Sequence, residues 1–171
     1  MTEQADQAAA NEQGNDNAME FSLQRVYLKD LSFESPLGAR AFTRQWKPKV
    51  NQDLSTKIAR LDDNHFEVVL DITITVKDDT DTLYLVEVKQ AGVFFAKGLN
   101  EQQLAGILNT QCPSILFPYV RETIDSVVTR GTFPALMLPP INFDALFQQA
   151  VANANAKAAE SQGQAAETPA H

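Results

Sequence analysis

Between Phe66 and Val76 an apolar residue stands at every second position. Phe66, Val68, Leu70, Ile72, Ile74 and Val76 share one parity, while Glu67, Asp71, Thr73, Thr75 and then Lys77 hold the other. A side-chain period of two over that length admits only an extended strand with one buried and one wet face. Three further segments read the same way. From Phe21 the odd positions Phe21, Leu23, Tyr27, Leu31 and Phe33 are apolar, against polar Ser22, Gln24, Asp30, Ser32 and Glu34. A weaker strand covers Val50 to Leu61 and closes at the turn Asp62-Asp63-Asn64. After a hairpin loop at Lys77 to Asp81, a strand runs from Thr82 to Phe95, with Gly92 expected to mark a bulge.

The second half changes period. Glu101 to Thr110 predicts a short amphipathic helix stopped before Pro113, and Ser114 to Arg130 a longer one ended by Gly131. Pro118 is expected to kink that helix or to be confined to its first turns. Phe143, Leu146, Phe147 and Ala150 fall at helical spacing behind Asn142 as a cap. Strands followed by helices predict an α+β fold: an antiparallel sheet of about four strands with helices packed on one face. Residues 1–19 are expected to form a disordered acidic tail, residues 20–150 one domain, and residues 151–171 a second disordered tail rich in Ala, Gln and Asn.

The net charge of −8 is mainly a property of the N-terminus, where Glu3, Asp6, Glu12, Asp16 and Glu20 face no Lys or Arg. Residues 21–150 retain only −2 and no basic stripe, which argues against nucleic acid as a partner. No apolar run is long enough for a membrane helix, and the polar N-terminus lacks the pattern of a secretory signal, so a cytoplasmic protein without membrane insertion is expected. The single cysteine, Cys112, reads as a small buried residue and excludes an intrachain disulfide. With only His65 and His171, no Ser-His-Asp triad or multi-histidine metal site can be assembled within one protomer. The glycines form neither nucleotide-binding pattern, and Asp78, Asp79 and Asp81 lack the Gly and Glu of a calcium loop. The chain is therefore expected to have no catalytic residues, no metal and no cofactor.

What remains is apolar surface. Trp46 lies in one long connection, and Phe133, Leu136, Met137 and Leu138 lie in another, Gly131 to Ile141. Long loops with bulky side chains either line a groove or lid the core. In the strand from Thr82, Tyr84, Val86, Val88 and Gln90 face one side and Leu83, Leu85, Glu87 and Lys89 the other. If the first set points to the helices, Leu85 and Glu87 share the wet face with Asp30 and Glu34, a pattern of apolar anchor and polar rim.

The run from Cys112 to Phe147 reads C-P-x-I-L-F-P-Y-x-R-E, then R-G-x-F-P-x-L-x-L-x-P-x-N-F-D-A-L-F. Together with Val26-Tyr27-Leu28-Lys29-Asp30-Leu31-Ser32-Phe33-Glu34 and Glu87-Val88-Lys89-Gln90-Ala91-Gly92-Val93-Phe94, it closely resembles SecB, the bacterial export chaperone family, from Phe21 to Phe147. The resemblance implies a cytosolic homotetramer, a dimer of dimers, that holds export precursors unfolded without ATP and passes them to the translocase ATPase SecA. It implies SecA docking on Asp30, Glu34, Leu85 and Glu87, and tetramer assembly governed by Val86, Val88 and Gln90. It further implies a client groove at Trp46, Val50, Leu54, Leu136, Leu138 and Phe147. A chaperone of the same family dedicated to a toxin–antitoxin system, or a cytosolic peptide- or lipid-binding protein, are the alternative readings.

Overall fold

The computed structural model describes residues 18–165 apart from Trp46 and Thr80, with side chains through Ala158. Four antiparallel strands form one sheet in the order β1-β4-β3-β2, where β1 is Glu20–Glu34, β2 Lys49–Arg60, β3 His65–Asp78 and β4 Asp81–Lys97. Helices α1 (Glu101–Asn109), α2 (Gln111–Arg130) and α3 (Phe143–Ala165) follow, and α2 lies across β4 and β3. The α+β architecture is the expected one. Strand β2 returns into β3 through an Asx turn, in which Asp62 Oδ1 accepts from the amides of Asn64 and His65.

The alternating residues of β3 make the centre of the core. Val68, Leu70, Ile72 and Ile74 are fully buried, opposite Gly92, Gln90, Val88 and Val86 of β4 and beneath Leu116, Val120 and Ile124 of α2. Among the described residues the other face of the sheet carries no helix. Strand β1 departs from a simple parity, because its register against β4 slips between Leu23 and Arg25 and again between Leu28 and Asp30. Each inserted residue, Gln24 then Lys29, moves the following side chains to the opposite face. Phe21, Leu23, Val26, Leu28, Leu31 and Phe33 therefore lie on the helix side, whereas Tyr27, expected there, lies on the wet face opposite Ala91.

Gly92 is regular, paired with Val26 and Val68, and the expected bulge belongs to β1 instead. Its role is clearance: a Cβ there would stand 2.7 Å from Phe94 Cε2 and 3.0 Å from Leu116 Cδ2. Gly131 likewise leaves room for Phe33, whose Cζ would lie 2.6 Å from an added Cβ.

Pro118 neither ends α2 nor sits in its first turn. It is solvent-exposed, so the carbonyl it deprives of a donor can be hydrated. Asn100 and Gln103 close a capping box on α1, and Asn142 caps α3 as expected, its Oδ1 accepting from Ala145 N at 3.0 Å. Helix α3 runs onward from its Asn142 cap to Ala165, and the alanine-rich composition of 151–165 suits helix propagation. Most of the N-terminal tail and residues 166–171 lie outside the described residues.

Candidate functional site

The two long connections meet. The crossover between β1 and β2 contains a 3₁₀ helix over Gly38–Thr43, which buries Ala41 and leaves Phe42 largely exposed. The loop joining α2 to α3 buries Phe133, whose ring centroid is 5.1 Å from that of Phe42, 4.7 Å from Tyr84 and 6.4 Å from Phe33. One aromatic hub thus ties the crossover, the helix-connecting loop, β1 and β4 together. Burial, with the Asp125 carboxylate second, pushes the Tyr84 phenol up to about 12, so it remains a neutral core group.

Beside this hub the helix side of β2 stays open, apolar at Val50, Leu54 and Ile58 and polar at Gln52 and Thr56. Val50, Leu54 and Ile58 of β2 pair with Val76, Ile72 and Val68 and so point to the helix side, but α2 is centred on β4 and β3. Val50 is 49% and Ile58 38% exposed, while Leu54 is half-buried against the core. Of the expected groove residues in the helix-connecting loop, Leu136 packs partly against the core and Leu138 is buried within it. Between them Met137 is 71% exposed. Phe147 is half-buried on α3, which packs against α1 and α2, so the structure places it with the helix layer. Trp46 lies outside the described residues.

The wet face gathers the second expected set. Glu34 is directly opposite Leu85, Ser32 opposite Glu87, and Asp30 opposite Lys89. Leu85 is half-buried between Glu34 of β1 and Thr75 of β3. Lys89 Nζ lies 2.8 Å from Asp30 Oδ2, which holds the Asp30 carboxyl below its ordinary value and raises Lys89. Glu34 and Glu87 have no ion pair among the described residues, although Ser32 Oγ reaches Glu87 Oε2 at 3.4 Å. Further along, Glu67 takes Lys29 at 2.7 Å and the hydroxyl of Tyr27, and Lys57 pairs with Asp71 at 3.3 Å. Around Leu85 the face therefore presents Glu34 and Glu87 without an ion pair among the described residues, and its middle is charge-compensated. Tyr27 could not be found by parity, because only the first bulge, at Gln24, turns it outward.

Val86, Val88 and Gln90 are not surface residues of the protomer. They lie beneath α2 at 0%, 0% and 4% exposure, so they meet the chain's own helix. Cys112 is buried, and burial pushes its thiol up to about 12. Among the described residues no group of acids, histidines and cysteines could hold a metal ion, and no helix is long and apolar enough to cross a membrane.

Comparison with known proteins gives this arrangement its setting. The family described as preprotein translocase subunit SecB matches residues 14–154. A protein-export protein SecB of Marinobacter nauticus is 50% identical over 165 residues, covering 96% of this chain and 97% of the relative. The protein of the same name in Hahella chejuensis is 55% identical over 139 residues, 81% of this chain and 87% of its own. Among solved structures, a SecB-like chaperone of Mycobacterium tuberculosis in complex with an antitoxin peptide superimposes with a TM-score of 0.57. It shares 15% identity and covers 71% of this chain and 91% of its own, a likeness of fold. With a family match over most of its length and relatives of about half identity along nearly all of it, this chain belongs to the SecB family of protein-export chaperones.

Proposed function

We propose that this protein is an ATP-independent holdase of the cytosol that binds unfolded export precursors and delivers them to SecA. The observation that carries the reading is the open helix side of β2, apolar at Val50, Leu54 and Ile58, beside two long loops joined at the Phe42–Phe133 contact. A surface of aliphatic, aromatic and Met side chains accepts many unfolded sequences because it reads apolar character and not a side-chain order. Val50, Leu54, Leu136 and Leu138 form or support this groove. Holding needs no nucleotide: preferential binding of the unfolded state draws the equilibrium away from the native one by mass action.

The end of the wet face formed by Asp30, Glu34, Leu85 and Glu87 is the proposed SecA surface. It lies on the opposite side of the sheet from the β2 strip, so client and receiver can be engaged together. The proposed assembly is a homotetramer. It is supported by β1, a 15-residue edge strand whose Leu23, Leu28 and Leu31 are each more than a third exposed on the helix side. Arg121 of α2 also has a buried Nε without an acceptor among the described residues, which a second copy could supply. Val86, Val88 and Gln90 would influence that assembly through the seat they give α2. Repetition of the groove in four copies converts weak contacts into avidity, about 10² to 10⁴ in affinity.

The test is to mix the purified protein with an unfolded precursor, with and without SecA, and to determine the mass of each species. Tetramer bound to precursor, and a ternary species with SecA, are expected without nucleotide. A monomer, or a protein that binds folded and unfolded precursor equally, overturns the reading. Dedication to a toxin–antitoxin pair would instead appear as capture of an antitoxin segment in preference to export precursors.

A further inference from the structure

Three consecutive residues of the helix-connecting loop are disposed in opposite ways: Leu136 is half-buried, Met137 is 71% exposed and Leu138 is 4% exposed. Met137 also has φ of +48°, in the left-handed region. That region crowds Cβ against the backbone and is occupied routinely only by Gly, with Asn and Asp assisted by local hydrogen bonds. A thioether offers no such help, so the conformation must be held from outside. Asp125, near the C-terminal end of α2, does so. Its Oδ1 accepts from the backbone amides of both Leu136 and Met137, each at 3.1 Å. Two successive N–H groups converging on one anionic oxygen form a backbone nest, and a carboxylate makes both bonds charge-assisted.

We propose that Asp125 is a positioning residue for client capture: its carboxylate clasps the Leu136–Met137 nest and so holds the Met137 side chain out in solvent as an adaptable contact for apolar side chains of an unfolded polypeptide. The inference rests on the holdase reading above. It explains why an acid stands on α2 beside an apolar loop, and why, among the described residues, the largest exposure of a bulky apolar side chain belongs to a methionine in a strained conformation. An unbranched thioether can adapt its rotamers to many partners, provided that the backbone keeps it from folding back onto the core.

The experiment uses the full chain and a reduced, carboxymethylated polypeptide that stays unfolded and carries a fluorophore. Anisotropy gives the dissociation constant, and hydrogen exchange gives the protection of the Leu136 and Met137 amides. Asp125→Ala should accelerate both amides about tenfold or more and weaken probe binding about three- to tenfold. Asp125→Asn keeps a side-chain oxygen with two lone pairs at the same place, so both readouts should stay within about threefold of wild type. Met137→Ala should weaken binding like Asp125→Ala while leaving the two amides protected. Because Asp125→Asn and Met137→Ala keep the clasp, the proposal stays testable even if Asp125→Ala fails to fold. Wild-type binding by Met137→Ala, wild-type protection in folded Asp125→Ala, or an Asp125→Asn protein as defective as Asp125→Ala each overturns the clasp. A wild type that does not bind the probe overturns the holdase reading itself.

Discussion

Replacing Leu85 by Ala and, separately, Glu87 by Lys should weaken SecA binding while leaving client binding intact, and the two losses should differ in salt dependence. Leu85→Ala removes three carbons, each contributing about 0.8 kcal/mol when covered. Leu85 is already half-buried between Glu34 and Thr75, so about half of that remains to be gained on docking. The expected loss is about 1 kcal/mol, or about sixfold in Kd. Glu87 has only a long contact to Ser32 and no ion pair, so its charge is available to a basic segment. Opposite unit charges 4 Å apart in water attract by about 1 kcal/mol, and reversal turns attraction into repulsion, for a loss of about 2 kcal/mol or about thirtyfold at low salt. The Debye length falls from about 10 Å at 0.1 M to about 3 Å at 1 M, so the lysine variant should recover relative to wild type at high salt while the alanine variant should not. Calorimetric titration against SecA at low and high salt reads both losses, and anisotropy with an unfolded probe reads client binding. Wild-type SecA affinity in either variant, or a parallel loss of client affinity, would refute the separation of the two faces.

Val88→Asp should unfold the protomer as well as disturb its assembly, because Val88 is fully buried beneath α2 and an uncompensated buried charge costs about 3–5 kcal/mol; urea denaturation alongside light scattering would separate the two effects. Gly92→Ala should lower stability by about 1–2 kcal/mol, since crowding of Phe94 and Leu116 outweighs the entropy gained by removing a glycine, and a lower urea midpoint at unchanged slope is the check. Cys112 should resist thiol reagents at neutral pH. Its thiol is raised from 9.0 to about 12, so above pH 9 the unfolded chain releases a proton that the native state keeps; stability should fall as pH rises from 9 toward 12, and Cys112→Ala should flatten that limb in denaturation curves.

The alternation from Phe66 to Val76 is sufficient by itself to specify a strand with a buried face, because a period of two has no other regular solution and six β-branched or bulky side chains must leave water together. The change to helical spacing after Glu101, the Asn142 cap and the chain-reversing turns are equally local, so the order of elements was readable. Even the common face of Asp30, Glu34, Leu85 and Glu87 was legible, since these residues lie on the ladder beyond the second bulge. The bulges themselves were not. Val26-Tyr27-Leu28 is apolar at both parities, and only pairing with β4 decides that Tyr27 turns outward to Glu67 while its neighbours turn in. Nor could local pattern distinguish a glycine at a bulge from one giving clearance: Gly92 is defined by Leu116, 24 positions away and brought close by α2 packing across the sheet. The meeting of Phe42 with Phe133, and of Asp125 with the amides of Leu136 and Met137, likewise depends on contacts between elements whose spacing in the chain carries no period. Periodicity records which side chains must avoid water. The positions at which separate elements touch are fixed only when the sheet and α2 close on one another and leave each side chain a single place to go.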